Sequence, residues 1–152
     1  MSRTVVGSPA DLLGLVGQPL GSSEWHDITQ HQVNLFADAT EDHQWIHVDP
    51  ERAAAGPFGG TIAHGYLTLA LAPVLIAETL SVQKLEAVLN YGLNKVRFPA
   101  PVPVGGRVRG TVTLHRAEPR AGGGVEAVFA VVWELEGSDR PACVAEVVVL
   151  YR

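Results

Sequence analysis

The sequence of 152 residues contains one cysteine, Cys143, and has no excess of positive charge. A single cysteine excludes an internal disulfide and a structural zinc site built from several cysteines. The formal net charge is −5 at pH 7, from 11 basic and 16 acidic residues. Proteins that bind nucleic acid or an anionic membrane surface need a basic face. We therefore expect neither of these partners.

The sequence also lacks a long apolar segment. Its longest apolar run, residues 66–77, suits a buried helix, because a membrane-spanning helix needs about 20 apolar residues. Ser8 and Asp11 interrupt the N-terminal segment, which argues against a signal peptide. These features predict a cytoplasmic protein that does not enter the membrane.

The composition, with 47% hydrophobic residues, predicts one folded domain over residues 1–152. The apolar pattern from Gly65 to about Leu80 predicts a helix that other structure encloses on every side. Alternating apolar and polar residues predict four strands, which cover residues 87–98, 107–114, 125–135 and 142–151. A buried helix followed by strands indicates an α+β fold, in which a curved antiparallel sheet wraps around the helix.

The segment from Thr40 to Pro50, predicted as a loop, concentrates ionisable side chains between two apolar segments. A carboxylate and a neutral imidazole can hold a water molecule between them and transfer protons in either direction. Asp42 and His47 are therefore a candidate catalytic pair. The alternative is that Asp42 caps a turn and His47 is a hydrogen-bonded loop histidine.

Gly65 is the second candidate, because it is predicted to begin the buried helix. The first N–H groups of a helix have no partner within the helix, and a glycine lets a ligand approach the backbone closely. This N–H could stabilise a carbonyl oxygen that gains negative charge. The alternative is that Gly65 relieves crowding where the helix enters the core, and that His64 orients the turn.

Two further sites compete with this interpretation. Imidazole and carboxylate side chains could bind zinc or iron, but no H-E-x-x-H motif and no pair of cysteines is present, so we expect no metal. The candidate ligands are Asp42, His43, His47, Asp49 and His64. Four basic residues of the second half are predicted to form a modest cluster. The interpretation that they lie on a solvated strand face is favoured over the interpretation that they bind phosphates. They are Lys95, Arg97, Arg107 and Arg109.

Together these segments resemble the MaoC-like family of (R)-specific enoyl-CoA hydratases, and within it the single-domain NodN-like (nodulation-protein-N-like) branch. The similar segments are residues 36–42, 45–50, 61–65 and 91–105, and the resemblance covers nearly the whole chain. Their order and spacing are more specific than any one of them. The family often has Asn-Pro within the first loop, where this chain has Gln44-Trp45.

The resemblance implies a hot-dog fold, in which the sheet wraps a long central helix, and a homodimer. It also implies a role in fatty acid metabolism. The implied reaction is the reversible addition of water to a trans-2-enoyl-CoA, which gives (R)-3-hydroxyacyl-CoA. The only coenzyme involved would be the CoA of the acyl-CoA substrate. By position, Asp42 and His47 are the catalytic pair and Gly65 supplies the oxyanion-hole N–H, while Lys95 and Arg97 are candidate contacts for the CoA phosphates. Two alternatives remain open, an acyl-CoA thioesterase on the same fold and a non-catalytic module that binds acyl thioesters.

Overall fold

The computed structural model describes residues 3–152, which form helices mainly in the first half and long strands in the second. A 3₁₀ helix at Pro9–Leu15 follows the first strand. The helices are α1 (Gln30–Thr40), α2 (Trp45–Val48), α3 (Pro50–Ala54), α4 (Gly65–Ala70) and α5 (Ala72–Thr79). The strands are β1 (Thr4–Val6), β2 (Pro19–Ser22), β3 (His26–Asp27), β4 (Leu80–Val82), β5 (Val88–Arg97), β6 (Arg107–Pro119), β7 (Val125–Leu135) and β8 (Cys143–Tyr151).

The main sheet has six strands in the order β2–β6–β7–β8–β5, and β3 also pairs with β6. Each of these pairings is antiparallel. A separate pair, β1 and β4, is parallel. The four strands predicted from alternation are confirmed as β5 to β8, although β6 extends to Pro119, beyond its predicted end. The predicted α+β arrangement with an antiparallel sheet is also confirmed.

The core lies between α5 and the concave face of the sheet, and Gly110 of β6 brings the two together. A Cβ atom at Gly110 would lie 2.9 Å from Cβ of Leu75 on α5, so only glycine permits this close approach. Burial alternates along β6, as expected for a strand with one face on the core. The largest fully buried strand residues are Val108, Val112, Leu114, Val125, Phe129, Val131 and Trp133.

The prediction that other structure encloses this segment on every side is wrong within the described chain. The segment forms two helices, α4 and α5, with Leu71 between them. Pro73 lies in the first turn of α5, where its missing N–H leaves no hydrogen bond unmade. The helices are not enclosed throughout, since Tyr66 is 72% exposed and Val74 is also exposed. Tyr66, Pro73 and Ile76 line an apolar cavity of about 820 Å³ that reaches β5 and β8.

The cavity is open because the sheet ends at β5. Within the described chain this strand pairs only with β8, so its other edge is free. Large apolar side chains on both faces of β5 are exposed, namely those of Val88, Leu89, Tyr91 and Leu93. The register shifts between Asn90 and Gly92, and again between Asn94 and Arg97. Among the described residues, no helix is both long enough and apolar enough to span a bilayer.

Candidate active site

Asp42 lies directly after α1, where the chain reverses direction. Glu41 ends the helix in the left-handed conformation, with φ 65° and ψ 13°. The Asp42 carboxylate accepts a long hydrogen bond of 3.4 Å from the Gln44 N–H, and the side chain is otherwise exposed. The prediction of a continuous loop from Thr40 to Pro50 is wrong, because α2 forms a helical turn within it. His47 lies on this turn.

His47 is buried, with 6% of its surface exposed. Its Nδ1–H donates a hydrogen bond of 2.7 Å to the Ile62 carbonyl. A carbonyl oxygen can only accept, so in the neutral ring Nε2 carries the free lone pair. Burial lowers the pKa of His47, because it removes water from the charged imidazolium, and the bond to Ile62 opposes this effect. The site therefore favours the neutral form, which can accept a proton at Nε2.

Gln30 and Thr61 support His47 from behind, and sequence reasoning missed both. The Gln30 amide donates a 2.8 Å hydrogen bond to the His47 carbonyl. The same amide accepts a 2.6 Å hydrogen bond from the Thr61 hydroxyl. These bonds join α1, α2 and the segment before α4. The sequence carried no signal for them, because Gln30 also pairs with Asn34 one turn later, as an ordinary surface residue does.

His64 connects the two halves of the site. It precedes α4 and is 3% exposed, and its Nε2–H donates a 2.9 Å hydrogen bond to the Asp42 backbone carbonyl. Its ring stacks on the His47 ring, with centroids 3.9 Å apart and an angle of 23° between the planes. From the sequence, His64 was expected to orient the turn, whereas the structure places it against both Asp42 and His47.

Gly65 is the first residue of α4, so its N–H has no carbonyl partner in the preceding helical turn. A Cβ atom at this position would meet the Phe98 ring at 3.4–3.5 Å, an ordinary van der Waals distance, and the backbone does not require a left-handed conformation. Packing therefore does not demand glycine here. The interpretation that Gly65 only relieves crowding is not supported.

The polar atoms of Asp42, His47 and His64 all lie within 4.8 Å of one another. A zinc ion needs its ligand atoms to converge on one point at about 2.0–2.2 Å. The lone pairs of an imidazole lie in the ring plane, and these two rings are stacked nearly parallel. The lone pairs of the two rings therefore lie in nearly parallel planes. These three side chains are the group in the described structure that is close enough together to share a metal ion, and the prediction of no metal stays a prediction.

The remaining ionisable residues of this segment point elsewhere. The His43 ring bonds the Asp38 carboxylate at 2.9 Å on the surface, and this bond raises the pKa of His43. The Asp49 carboxylate accepts a 3.1 Å hydrogen bond from the Arg52 N–H and so caps α3. Asp49 therefore shapes the backbone beside the site, whereas His43 lies in an exposed surface pair.

The four basic residues do not form one cluster, and this prediction is wrong. Lys95 and Arg97 lie on β5, whereas Arg107 and Arg109 lie on β6, with β7 and β8 between them.

Both arginines of β6 already form ion pairs with carboxylates. Arg109 holds Glu134 through two hydrogen bonds of 2.9 Å, which raise the pKa of Arg109 and lower that of Glu134. Arg107 pairs with Glu136 at 3.1 Å. On β5, the Lys95 side chain is 83% exposed and lies 3.8 Å from Glu146, a long contact that leaves its charge accessible.

Most of the chain matches a known protein family. Residues 12–130 match the family model described as the MaoC like domain. The chain therefore belongs to the MaoC-like family, has its hot-dog fold, and confirms the resemblance predicted from the sequence.

Two named relatives are similar to this chain over most of its length. The chain is 60% identical over 144 residues to a Mycobacterium tuberculosis protein named 3-hydroxyacyl-thioester dehydratase Z, and the match covers 95% of each protein. It is 46% identical over 140 residues to nodulation protein N of Rhizobium leguminosarum, which covers 91% of this chain and 87% of that protein.

A solved structure shows the same fold. The (R)-hydratase from A. caviae involved in PHA biosynthesis superposes with a TM-score of 0.66 and 25% sequence identity. The match covers 88% of this chain and 94% of that one.

Proposed function

We propose that the protein is an (R)-specific enoyl-CoA hydratase, which adds water reversibly to a trans-2-enoyl-CoA to give (R)-3-hydroxyacyl-CoA. The observation that carries this proposal is the pairing of Asp42 and His47. Their polar atoms lie within 4.8 Å of each other and are not joined by a hydrogen bond in the described structure. One water can bridge this gap with ordinary hydrogen bonds of about 2.8 Å to each group. The names of the relatives, a 3-hydroxyacyl-thioester dehydratase and an (R)-hydratase, support the same chemistry in its two directions.

The reaction requires an electrophilic C3, and we assign the role of making it electrophilic to the Gly65 N–H. The thioester carbonyl of the substrate would accept a hydrogen bond from this N–H, since no side chain at residue 65 blocks the approach. The bond draws electrons from the conjugated double bond and stabilises the enolate oxygen that forms when water attacks. Such a donor contributes about 3–4 kcal/mol to lowering the barrier.

Asp42 and His47, the proposed catalytic dyad, would perform the two proton transfers. The bridging water loses a proton to the pair as its oxygen bonds to C3, and the electrons of the double bond move toward the thioester. The pair then delivers a proton to C2 on the same face, so that one water has been added in total. The depressed pKa of His47 keeps its ring neutral and able to accept the proton. Each of the two groups contributes roughly 10²- to 10⁴-fold to the rate.

Lys95 and Arg97 are our candidates for contacts with the CoA phosphates. Both lie at the end of β5 and are exposed, and the next residue, Phe98, faces the position of a Cβ atom on Gly65. Their exposed positive charges are available to the CoA phosphates, which the pantetheine arm separates from the thioester. Neutralising either residue is expected to raise KM for crotonyl-CoA, while the KM for a crotonyl thioester without phosphates stays unchanged.

We also propose a homodimer in which β5 pairs with its counterpart in a second copy. This strand has a free edge and large exposed apolar side chains, and such edges are normally covered or paired. Pairing would close one side of the 820 Å³ cavity, whose apolar lining could then hold an acyl chain. Light scattering on the eluting protein is expected to give about twice the chain mass of 16.2 kDa. A mass of one chain would contradict the dimer but not the reaction.

The function is tested by adding crotonyl-CoA and following the loss of absorbance of its conjugated thioester. Asp42→Asn and His47→Gln are expected to lose about 10²-fold or more in kcat while remaining folded. The exposed pair of Asp38 and His43 provides matched controls, because it has the same two residue types at the surface. Asp38→Asn and His43→Gln should retain full activity. Wild-type turnover in either dyad variant would refute the mechanism. Release of free CoA thiol would instead indicate a thioesterase, and binding without turnover would indicate a non-catalytic module.

A further inference from the structure

His64 is a buried side chain that contacts both Asp42 and His47. Its Nε2–H holds the backbone carbonyl of Asp42 at 2.9 Å, and its ring covers the face of the His47 ring. On another side it contacts the Phe36 ring of α1, at 4.8 Å between centroids. His64 therefore lies between α1 and the turn that carries His47, immediately before Gly65.

Packing alone does not explain an imidazole at this position. The Asp42 carbonyl can only accept a hydrogen bond, so in the neutral ring Nε2 carries the hydrogen and Nδ1 carries a lone pair. Within residues 3–152, Nδ1 is buried and has no hydrogen-bond partner. A buried polar atom without a partner costs free energy that an apolar ring of similar size would avoid. The polar side chain therefore needs a compensating role.

The two contacts of His64 supply that role, because Asp42 has only long hydrogen bonds apart from the one that His64 donates, and because the His64 ring packs on the face of the His47 ring. The other bonds that the Asp42 residue makes to its own loop are long, at 3.4 Å from its N–H to Thr40 and 3.4 Å from Gln44 to its carboxylate. The short bond from His64 is thus the strongest restraint on the backbone of Asp42. Stacking on the His64 ring likewise restricts motion of the His47 ring, whose Nδ1–H is bonded to the Ile62 carbonyl.

We propose that His64 is a positioning residue, which fixes the Asp42 backbone and the His47 ring so that one water fits between the two reactive groups. This inference rests on the proposed hydratase function. His64 does not itself transfer a proton in this scheme.

Two substitutions separate the two contacts. His64→Phe keeps a ring for stacking but removes the donor to Asp42, whereas His64→Gln keeps an amide donor at a similar reach but removes the stacking. We expect each variant to lose about 10- to 100-fold in kcat with a KM within about threefold of wild type, since small displacements of catalytic groups have this effect. His64→Ala should lose more than either. His43→Gln, at an exposed histidine of the same segment, is the control.

A second measurement does not depend on activity. The ¹⁵N and ¹H signals of the His47 ring report its tautomer and its ring-current environment in the ligand-free protein. We expect His64→Gln to shift these signals and to broaden them through added ring motion, and His64→Phe to preserve the sharp lines. Unchanged His47 signals together with wild-type kcat in both variants would overturn the positioning role. If the wild-type protein hydrates no enoyl thioester, the proposed function fails, yet the ring signals still decide whether His64 orders the dyad.

Discussion

Replacing Gly65 with alanine separates a catalytic role for the first α4 residue from a packing role. The added Cβ would lie 3.4–3.5 Å from the Phe98 ring, which is an ordinary contact, and the backbone conformation is accessible to any residue. Alanine also favours helix more than glycine does, by up to about 1 kcal/mol. We therefore expect the thermal midpoint of Gly65→Ala to equal or slightly exceed that of the wild type.

The activity of this variant should nevertheless fall sharply. The methyl group would stand beside the N–H that the thioester oxygen has to reach, so the oxygen would be held too far away for a good hydrogen bond. Loss of one such donor costs about 2.7–4 kcal/mol, or roughly 10²- to 10³-fold in kcat. The assay is hydration of crotonyl-CoA, measured beside thermal unfolding of the same preparation.

Gly14→Ala provides the matched control, because a Cβ atom there meets no other atom within 4 Å. It should change neither property. Full activity in Gly65→Ala would refute the oxyanion role of this N–H. A large fall in the thermal midpoint would show instead that crowding decides the residue at this position.

Three further predictions test the core and the buried groups. Gly110→Ala should lower the free energy of unfolding by about 1–3 kcal/mol, because its Cβ would lie 2.9 Å from Leu75; urea denaturation beside Gly14→Ala measures this. The native pKa of His47 is below the ordinary 6.5, so as pH falls below 6.5 the unfolded state binds a proton that the native state does not. Stability should therefore decrease with acid in this range, and His47→Gln should flatten that decrease in pH-dependent urea titrations. Burial raises the pKa of Cys143 to about 12, so iodoacetamide should label it in denaturant and not in the native protein.

The strands were predictable because their chemistry is local. Along β6 the buried and exposed side chains alternate over eight residues, which the sequence shows directly as apolar and polar alternation. The capping box of Thr29 and Gln32 likewise marks the start of α1, and the structure forms it. In each case the residues that give the signal are close together in the chain.

The predictions that failed depended on distant parts of the chain. Whether the central helices are enclosed depends on how far the sheet extends past β8, which no local pattern encodes. The turn α2 has four residues, too few to show a helical period. The residue types and family motifs predicted Asp42, His47 and Gly65 as site residues, and their catalytic roles stay a prediction, although the structure brings Asp42 and His47 together. The contacts of His64 and Gln30 were not predictable, because they join residues 17 to 31 positions apart.

The parts of the site are held with unequal rigidity, and this difference has a mechanical consequence. Ile62 binds the α2 turn twice, through its N–H to the Ile46 carbonyl at 3.0 Å and its carbonyl to the His47 ring at 2.7 Å. The next residue, Ala63, is anchored to Val102 at 2.8 Å. His47 and Gly65 are therefore fixed to each other through three consecutive residues, and a shift of this segment moves them together. Asp42 follows the end of α1 and reaches this unit mainly through His64, so disorder at the end of α1 would open the gap that holds the water. Such disorder would lower kcat without moving the oxyanion donor relative to the histidine.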